Sequence, residues 1–137
     1  MSPKDETNPT PPVLSNFSEI SRLRTYPARE SLLSDAVCLR FEGIGSLCPI
    51  TGQPDTATVS VSYIPDSLSL DEDSVWAYLC SFRNFPAFNE EIVNRILDDL
   101  VQVAKPKEMT ITGNFAPRGG ISLTAEATFP AESVSES

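Results

Sequence analysis

Apolar and polar residues alternate along several stretches of the chain and recur at helical spacing along others. Val37, Leu39 and Phe41 alternate with Cys38 and Arg40, the period-two pattern of a half-buried strand. The pattern returns where Ala57, Val59, Val61 and Tyr63 face one way and Thr58, Ser60 and Ser62 the other, until Pro65 ends the run. From about Asp71 the period changes. Val75, Tyr78, Leu79 and Phe82 form one helical stripe, with Asp71, Glu72 and Asp73 placed for the N-terminal dipole. A second helix is predicted after Pro86, capped by Asn89, with Glu90 and Glu91 in its first turn. Ile92, Val93, Ile96, Leu97, Leu100 and Val101 form its buried face, and Pro106 stops it. Met109, Ile111, Gly113 and Phe115, then Ile121, Leu123, Ala125 and Ala127, predict closing strands. Pro117-Arg118-Gly119-Gly120 between them has the residues of a tight hairpin turn.

The order β-β-α-α-β-β predicts an α+β fold, one antiparallel sheet with a helix pair on a single face. Such a layer is open on its other side. Either that face is polar or copies cover it, and assembly is expected because edge strands need a partner or cover. With 137 residues, 40% of them hydrophobic, the chain supports a single core, expected over residues 35–130. Residues 1–34 read as a partly disordered extension: the start is rich in Pro, Ser, Thr and Asn, and residues 16–34 show no decisive pattern. Residues 131–137 read as a disordered tail.

Charge and cysteine content narrow the function. The net charge of −9, with no basic stripe, disfavours direct nucleic acid binding and favours a small substrate. Met1 to Pro12 is polar and proline-rich, unlike a signal peptide or membrane span, so a soluble cytoplasmic protein is expected. The 3 cysteines, an odd number without CxxC spacing, and the absence of histidine argue against a disulfide framework and an ordinary zinc site. No metal is expected.

Chemistry concentrates in Leu47-Cys48-Pro49-Ile50-Thr51-Gly52-Gln53-Pro54-Asp55. Its prolines and glycine predict a compact turn, without regular hydrogen-bond pairing, that aims Cys48 and Asp55 at one point. Only a thiolate attacks carbon, so a cysteine nucleophile needs a nearby base or positive field, and Asp55 is the candidate base. Read by themselves, Asp55 also suits a turn cap and Glu90 a helix-start charge. Cys38 and Cys80 read as buried small hydrophobes, and Trp76 as packing in or beside the core.

The chain resembles the NADPH-dependent 7-cyano-7-deazaguanine reductases (QueF), nitrile reductases of queuosine biosynthesis with the tunnelling fold (T-fold). The resemblance runs from about Phe41 to Ser122. It rests on Ser46-Leu47-Cys48-Pro49, Thr51-Gly52-Gln53-Pro54-Asp55, Tyr63-Ile64-Pro65-Asp66, Tyr78-Leu79 with Ser81-Phe82-Arg83-Asn84, Phe88 with Glu90, and Pro117-Arg118-Gly119-Gly120-Ile121-Ser122. It implies that Cys48 adds to the nitrile carbon to give a thioimide, that Asp55 transfers protons, and that Glu90 holds the guanine-like edge. Asn89, Ser81 and Phe82 are the other substrate-binding candidates. Arg83, Arg118 and Gly119 are the candidates for NADPH. The family's rings of subunits imply a homo-oligomer whose pocket lies between neighbours.

The departures bear on the reaction. A family motif with lysines, associated with NADPH, is matched here by Asp71-Glu72-Asp73-Ser74-Val75-Trp76, which places Asp73 and Trp76 where the lysines stand. Asn89 and Phe85 stand where the family has histidines. The alternatives are an amidinotransferase, in which an amine attacks the thioimide without NADPH, and a non-catalytic 7-deazaguanine-binding protein.

Overall fold

A computed structural model describes residues 19–29, 35–118 and 120–131. After a 3-10 turn at Ile20–Arg22 come strand β1 (Thr25–Pro27), β2 (Val37–Leu47), β3 (Pro54–Ile64) and β4 (Leu68–Leu70). Helices α1 (Glu72–Cys80) and α2 (Asn89–Ala104) follow, then β5 (Glu108–Arg118) and β6 (Ile121–Phe129).

The alternating runs form a 4-stranded antiparallel sheet in the order β2-β3-β5-β6. Register follows the hydrophobic pattern: Val59 sits opposite Gly113 and Val61 opposite Ile111, so the apolar sets of the central strands share one face. Both helices cover that face. Val75, Tyr78 and Leu79 of α1 and Ile92, Val93, Ile96 and Leu100 of α2 are buried in the same core as Val59, Val61, Met109 and Ile111. Full burial of one such aliphatic side chain contributes about 1.5–3 kcal/mol, which makes this two-layer contact the main source of stability. Gly113 lets α2 approach closely, because a Cβ there would lie 2.9 Å from Val93 Cγ2 and from Phe115.

The opposite face of the sheet is polar. The Thr124 hydroxyl donates to Asn114 Oδ1 at 2.8 Å, Thr112 donates to Glu126 at 3.3 Å, and Thr110 pairs with Thr128 at 3.4 Å. These cross-strand pairs suit water better than an apolar neighbour.

A buried polar link ties the helices together. The Tyr78 hydroxyl donates to Asp99 Oδ2 at 2.6 Å, and Arg95 Nε donates to the same oxygen at 3.1 Å. Burial, reinforced by the Asp99 carboxylate, pushes the Tyr78 phenol far above its ordinary value and keeps it the donor.

Several expectations need correction. In the N-terminal stretch whose sequence showed no decisive pattern, β1 pairs antiparallel with β4, Thr25 opposite Leu70, and Leu23 is buried in the core. This small second sheet pairs residues far apart in sequence, and 3-residue strands are too short to show a period. The expected disorder of residues 1–18, 30–34 and 132–137 lies outside the described residues. Asn89 is the first helical residue of α2 and not its cap. Phe88 holds the N-cap position, and Glu91, reaching back, accepts its N–H at 3.1 Å. Cys38 is exposed, since its neighbours Val37 and Leu39 take the core side of β2.

Candidate active site

The site begins with a parity change in β2. Before it, Leu39 and Phe41 pair with Val61 and Val59; after it, Ile44 pairs with Ala57 and Ser46 with Asp55. Glu42 and Gly43 together oppose Thr58, a β-bulge made possible by Gly43 at φ 77°. Odd-numbered residues of β2 face the core before the bulge and even-numbered ones after it. Strict alternation would have turned Cys48 to the polar face; the bulge turns it to the helix-covered face.

The β2–β3 ladder ends at the pair Leu47 with Pro54, and backbone bonds close the compact turn beyond it. Cys48 N–H donates to the Gln53 carbonyl at 2.9 Å, and Gly52 N–H donates to the Cys48 carbonyl at 2.8 Å. The two groups are aligned across the start of this turn: Asp55 pairs with Ser46, and Cys48, two residues beyond Ser46, lies diagonally from it on the same face. Asp55 Oδ1 also accepts the Thr56 N–H at 3.2 Å.

The start of α2 meets this face because the segment before it is fastened to β2. Pro86 bridges to Leu47, and Ala87 N–H donates to the Leu47 carbonyl at 3.2 Å. The residues that follow, Phe88, Asn89 and Glu90, are thereby held beside Cys48. A cavity of about 390 Å³ results, lined by Cys48, Pro49, Asp55, Ala87, Phe88, Asn89, Glu90, Phe115, Ala116, Ile121 and Leu123.

Cys48, Asp55, Asn89 and Glu90 are thus brought together. Phe82 is not among them: it is fully buried and stacks edge-on with Tyr78, 5.5 Å between ring centroids, so a ligand in this cavity cannot touch it. Ser81 donates to the Tyr78 carbonyl at the end of α1 and lines a different groove. Arg83 is exposed, its stem packed near Gly45 of β2. Arg118 contributes its backbone to the β5–β6 ladder opposite Ile121, and Gly119 lies outside the described residues. The apolar wall of Phe88, Phe115, Ile121 and Leu123 was not foreseen as site. Its signal was Ile121 and Leu123 at the exposed start of an otherwise core-facing run; they are 74% and 37% exposed.

A thiol and a carboxylate on one face, a second carboxylate at the start of a helix, and apolar walls make a slot for a flat, hydrogen-bond-donating ligand with an electrophilic carbon. Among the described residues no Lys or Arg lines it. Among the described residues no three His, Cys, Asp or Glu side chains form a potential metal site. No helix among them is long and apolar enough to cross a membrane.

The antiparallel sheet with both helices on one face, and a candidate thiol site at its end, define an α+β protein of the tunnelling-fold class. The chain belongs to the QueF family: the family model described as QueF-like protein matches residues 54–133. A 7-cyano-7-deazaguanine reductase of Syntrophus aciditrophicus, named as NADPH-dependent, is 41% identical over 79% of this chain and 77% of its own. One of the same name from Parabacteroides distasonis is 55% identical over 57% of this chain and 50% of its own. The chain spans about half the length of this relative and of one of the same name from Bacteroides thetaiotaomicron. A crystal structure titled archaeosine synthase QueF-Like in the apo form aligns with TM-score 0.64 at 26% identity, covering 68% of this chain and 91% of that one.

Proposed function

We propose that this chain takes part in reduction of the nitrile of 7-cyano-7-deazaguanine to an aminomethyl group, the activity for which its curated relatives are named, with Cys48 as nucleophile. The observation that supports it is the convergence of Cys48, Asp55 and Glu90 on one apolar-walled cavity. Asp55 takes the thiol proton and the Cys48 sulfur attacks the nitrile carbon. One C–S bond forms, one π bond of the nitrile is lost, and the proton passes from Asp55 to the nitrile nitrogen, leaving a thioimide. Glu90 accepts hydrogen bonds from the ring N–H and the exocyclic amine of the base together. Phe88 and Phe115 shield its faces.

The relatives are named as NADPH-dependent. The first turn of α1 does not fit the 2′-phosphate of that cofactor: Arg24, the cation beside it, is ion-paired with Asp71 at 3.0 Å, and Glu72 and Asp73 are exposed carboxylates. Arg83 is the described member of the proposed cofactor set. A free base, and not nucleic acid, suits a cavity lined by two carboxylates on a chain of net charge −9. The outer edges of β2 and β6 and the exposed Phe88 and Ile121 at the cavity rim support a ring-shaped homo-oligomer in which neighbours complete the pocket. Cys38, Cys48 and Cys80 form no disulfide, which suits the cytoplasm.

Incubation of the full chain with 7-cyano-7-deazaguanine is expected to add the mass of the base at Cys48, and Cys48→Ala to abolish the addition. An unmodified wild-type protein would sink the assignment. The acidic first turn of α1 and the likeness to the archaeosine synthase favour a second reading, in which an amine displaces Cys48 from the thioimide to give an amidine. Amidine formed in the presence of ammonium, with no oxidation of reduced dinucleotide, would establish that reading instead.

A further inference from the structure

The turn that carries Cys48 toward Asp55 must hold its shape without a strand ladder. Pairing of β2 with β3 stops at Leu47 and Pro54, and the prolines at 49 and 54 bring no backbone donor to the connection. Even the Leu47 carbonyl is engaged elsewhere, by the Ala87 N–H. What closes the turn is a ring of backbone bonds on Cys48 itself, whose N–H donates to the Gln53 carbonyl and whose carbonyl accepts the Gly52 N–H. Gly52 completes the ring at φ 73°, a conformation that glycine adopts without strain. Residues 52 and 53 thus set both backbone groups of the candidate nucleophile.

A side chain braces this ring. Thr51 Oγ1 accepts the Gln53 N–H at 3.2 Å, a local bond of the kind that Ser and Thr make in turns. Gln53 is therefore held from two sides, its N–H by Thr51 and its carbonyl by Cys48, and Asp55 follows two residues later. It is the joint between the thiol and the carboxylate. Thr51 is exposed, belongs to no part of the buried core and lies outside the cavity lining, so neither packing nor contact with the base accounts for its hydroxyl.

We infer that Thr51 is a positioning residue: its hydroxyl fixes Gln53, and through Gln53 the placement of the Cys48 sulfur relative to the Asp55 carboxylate, before the base arrives. The inference rests on the reading of Cys48 as nucleophile and Asp55 as its base, and deepens it. Proton transfer between them needs hydrogen-bond reach, and a misplacement of about 1 Å in such a pair costs as much as roughly 100-fold in rate. Removing one brace loosens the turn without displacing it, so the loss is smaller. It falls on the rate of attack and not on the affinity for the base.

Thr51→Val keeps the shape of the side chain and removes the acceptor, while Thr51→Ser keeps the acceptor. Capture of 7-cyano-7-deazaguanine by the full chain, followed by mass at several concentrations, separates the limiting rate from the half-saturating concentration. The valine variant is expected to lower the limiting rate roughly three- to tenfold, the worth of one such bond, with the half-saturating concentration unchanged. Serine is expected to restore the rate. With no base present, hydrogen exchange at the Cys48 and Gly52 amides should quicken in the valine variant, while the amides of α2 and the melting temperature stay as in wild type. A valine variant that captures at the wild-type limiting rate, a loss confined to affinity, or a serine variant as slow as valine would overturn the proposal. No capture by the wild type would defeat the nucleophile reading alone; unchanged exchange at Cys48 and Gly52 in the valine variant would defeat the brace alone.

Discussion

The cavity end of the sheet and the outer face of α1 differ in how they are built. At the cavity, long paired strands set side-chain direction, and the bulge in β2 decides which face Cys48 occupies. Around α1, short pieces meet by a few specific bonds. Arg24 N–H donates to Ser74 Oγ at 3.0 Å, Asp71 N–H to the Arg24 carbonyl at 3.0 Å, and Ser74 Oγ to the Asp71 carbonyl at 2.7 Å. A ladder fixes positions cooperatively, so one wrong parity moves every later side chain. A patch of separate bonds tolerates change piece by piece, which is where ligand preference is readily altered while the fold persists.

The largest effect is expected from the bulge. Gly43→Val places a β-branched residue at φ 77°, which costs about 3 kcal/mol if the bulge persists. If the bulge is lost instead, Cys48 turns to the polar face and capture of the nitrile disappears. Deletion of Gly43 is expected to be milder, because a regular ladder with Ile44 opposite Ala57 keeps Cys48 on the helix side. Urea unfolding midpoints and capture rates of both variants check this. A valine variant as stable and reactive as wild type would show that parity at Cys48 does not depend on Gly43.

The same bulge marks where the sequence stops being legible. The long strands and both helices follow from periodicity, because the core they share imposes period two on one layer and 3.6 on the other. Cys48, Asp55 and Glu90 were recognisable as candidates because their motifs are local. Alternation of Val37, Leu39 and Phe41 gives no hint that the phase changes at Gly43, although a glycine inside a strand pattern is the usual sign of a bulge. The β1–β4 pair and the stack of Trp76 on Phe41 join distant residues through tertiary packing alone. Phe82 was misplaced for a related reason. Its neighbourhood in the Ser81-Phe82-Arg83 motif suggested a ligand contact, while its place in the α1 stripe already assigned it to the core.

A smaller effect is expected within the cavity from Glu90→Gln. The amide has one acceptor in place of two, so one N–H of the base meets a donor, which costs about 2 kcal/mol of binding. Phe88 N–H is held by Glu91 and not by Glu90, so the helix start survives and the loss should appear in affinity alone. Equilibrium binding of 7-cyano-7-deazaguanine to a Cys48→Ala background, with and without the glutamine, measures it. Equal affinities would make Glu90 a helix-start charge with no part in recognition.

The smallest effect belongs to the α1 face, and it tests whether the two regions are independent. Arg24 Nη2 reaches Asp71 Oδ2 at 3.0 Å, but the arginine and aspartate side chains are 67% and 29% exposed. Water screens such a pair, and holding a long side chain in one geometry costs entropy, so its net worth is about 0–1 kcal/mol. Arg24→Ala also keeps the backbone bonds of Arg24 with Ser74 and Asp71, which are what join the segment before β1 to α1. Thermal unfolding should therefore shift only slightly, and the rate of capture at Cys48 should match wild type. A clear fall in that rate would mean that strain on the α1 face is transmitted through the Ser81–Ala87 connection to Leu47. The cavity would then owe its geometry to both regions and not to the sheet register alone.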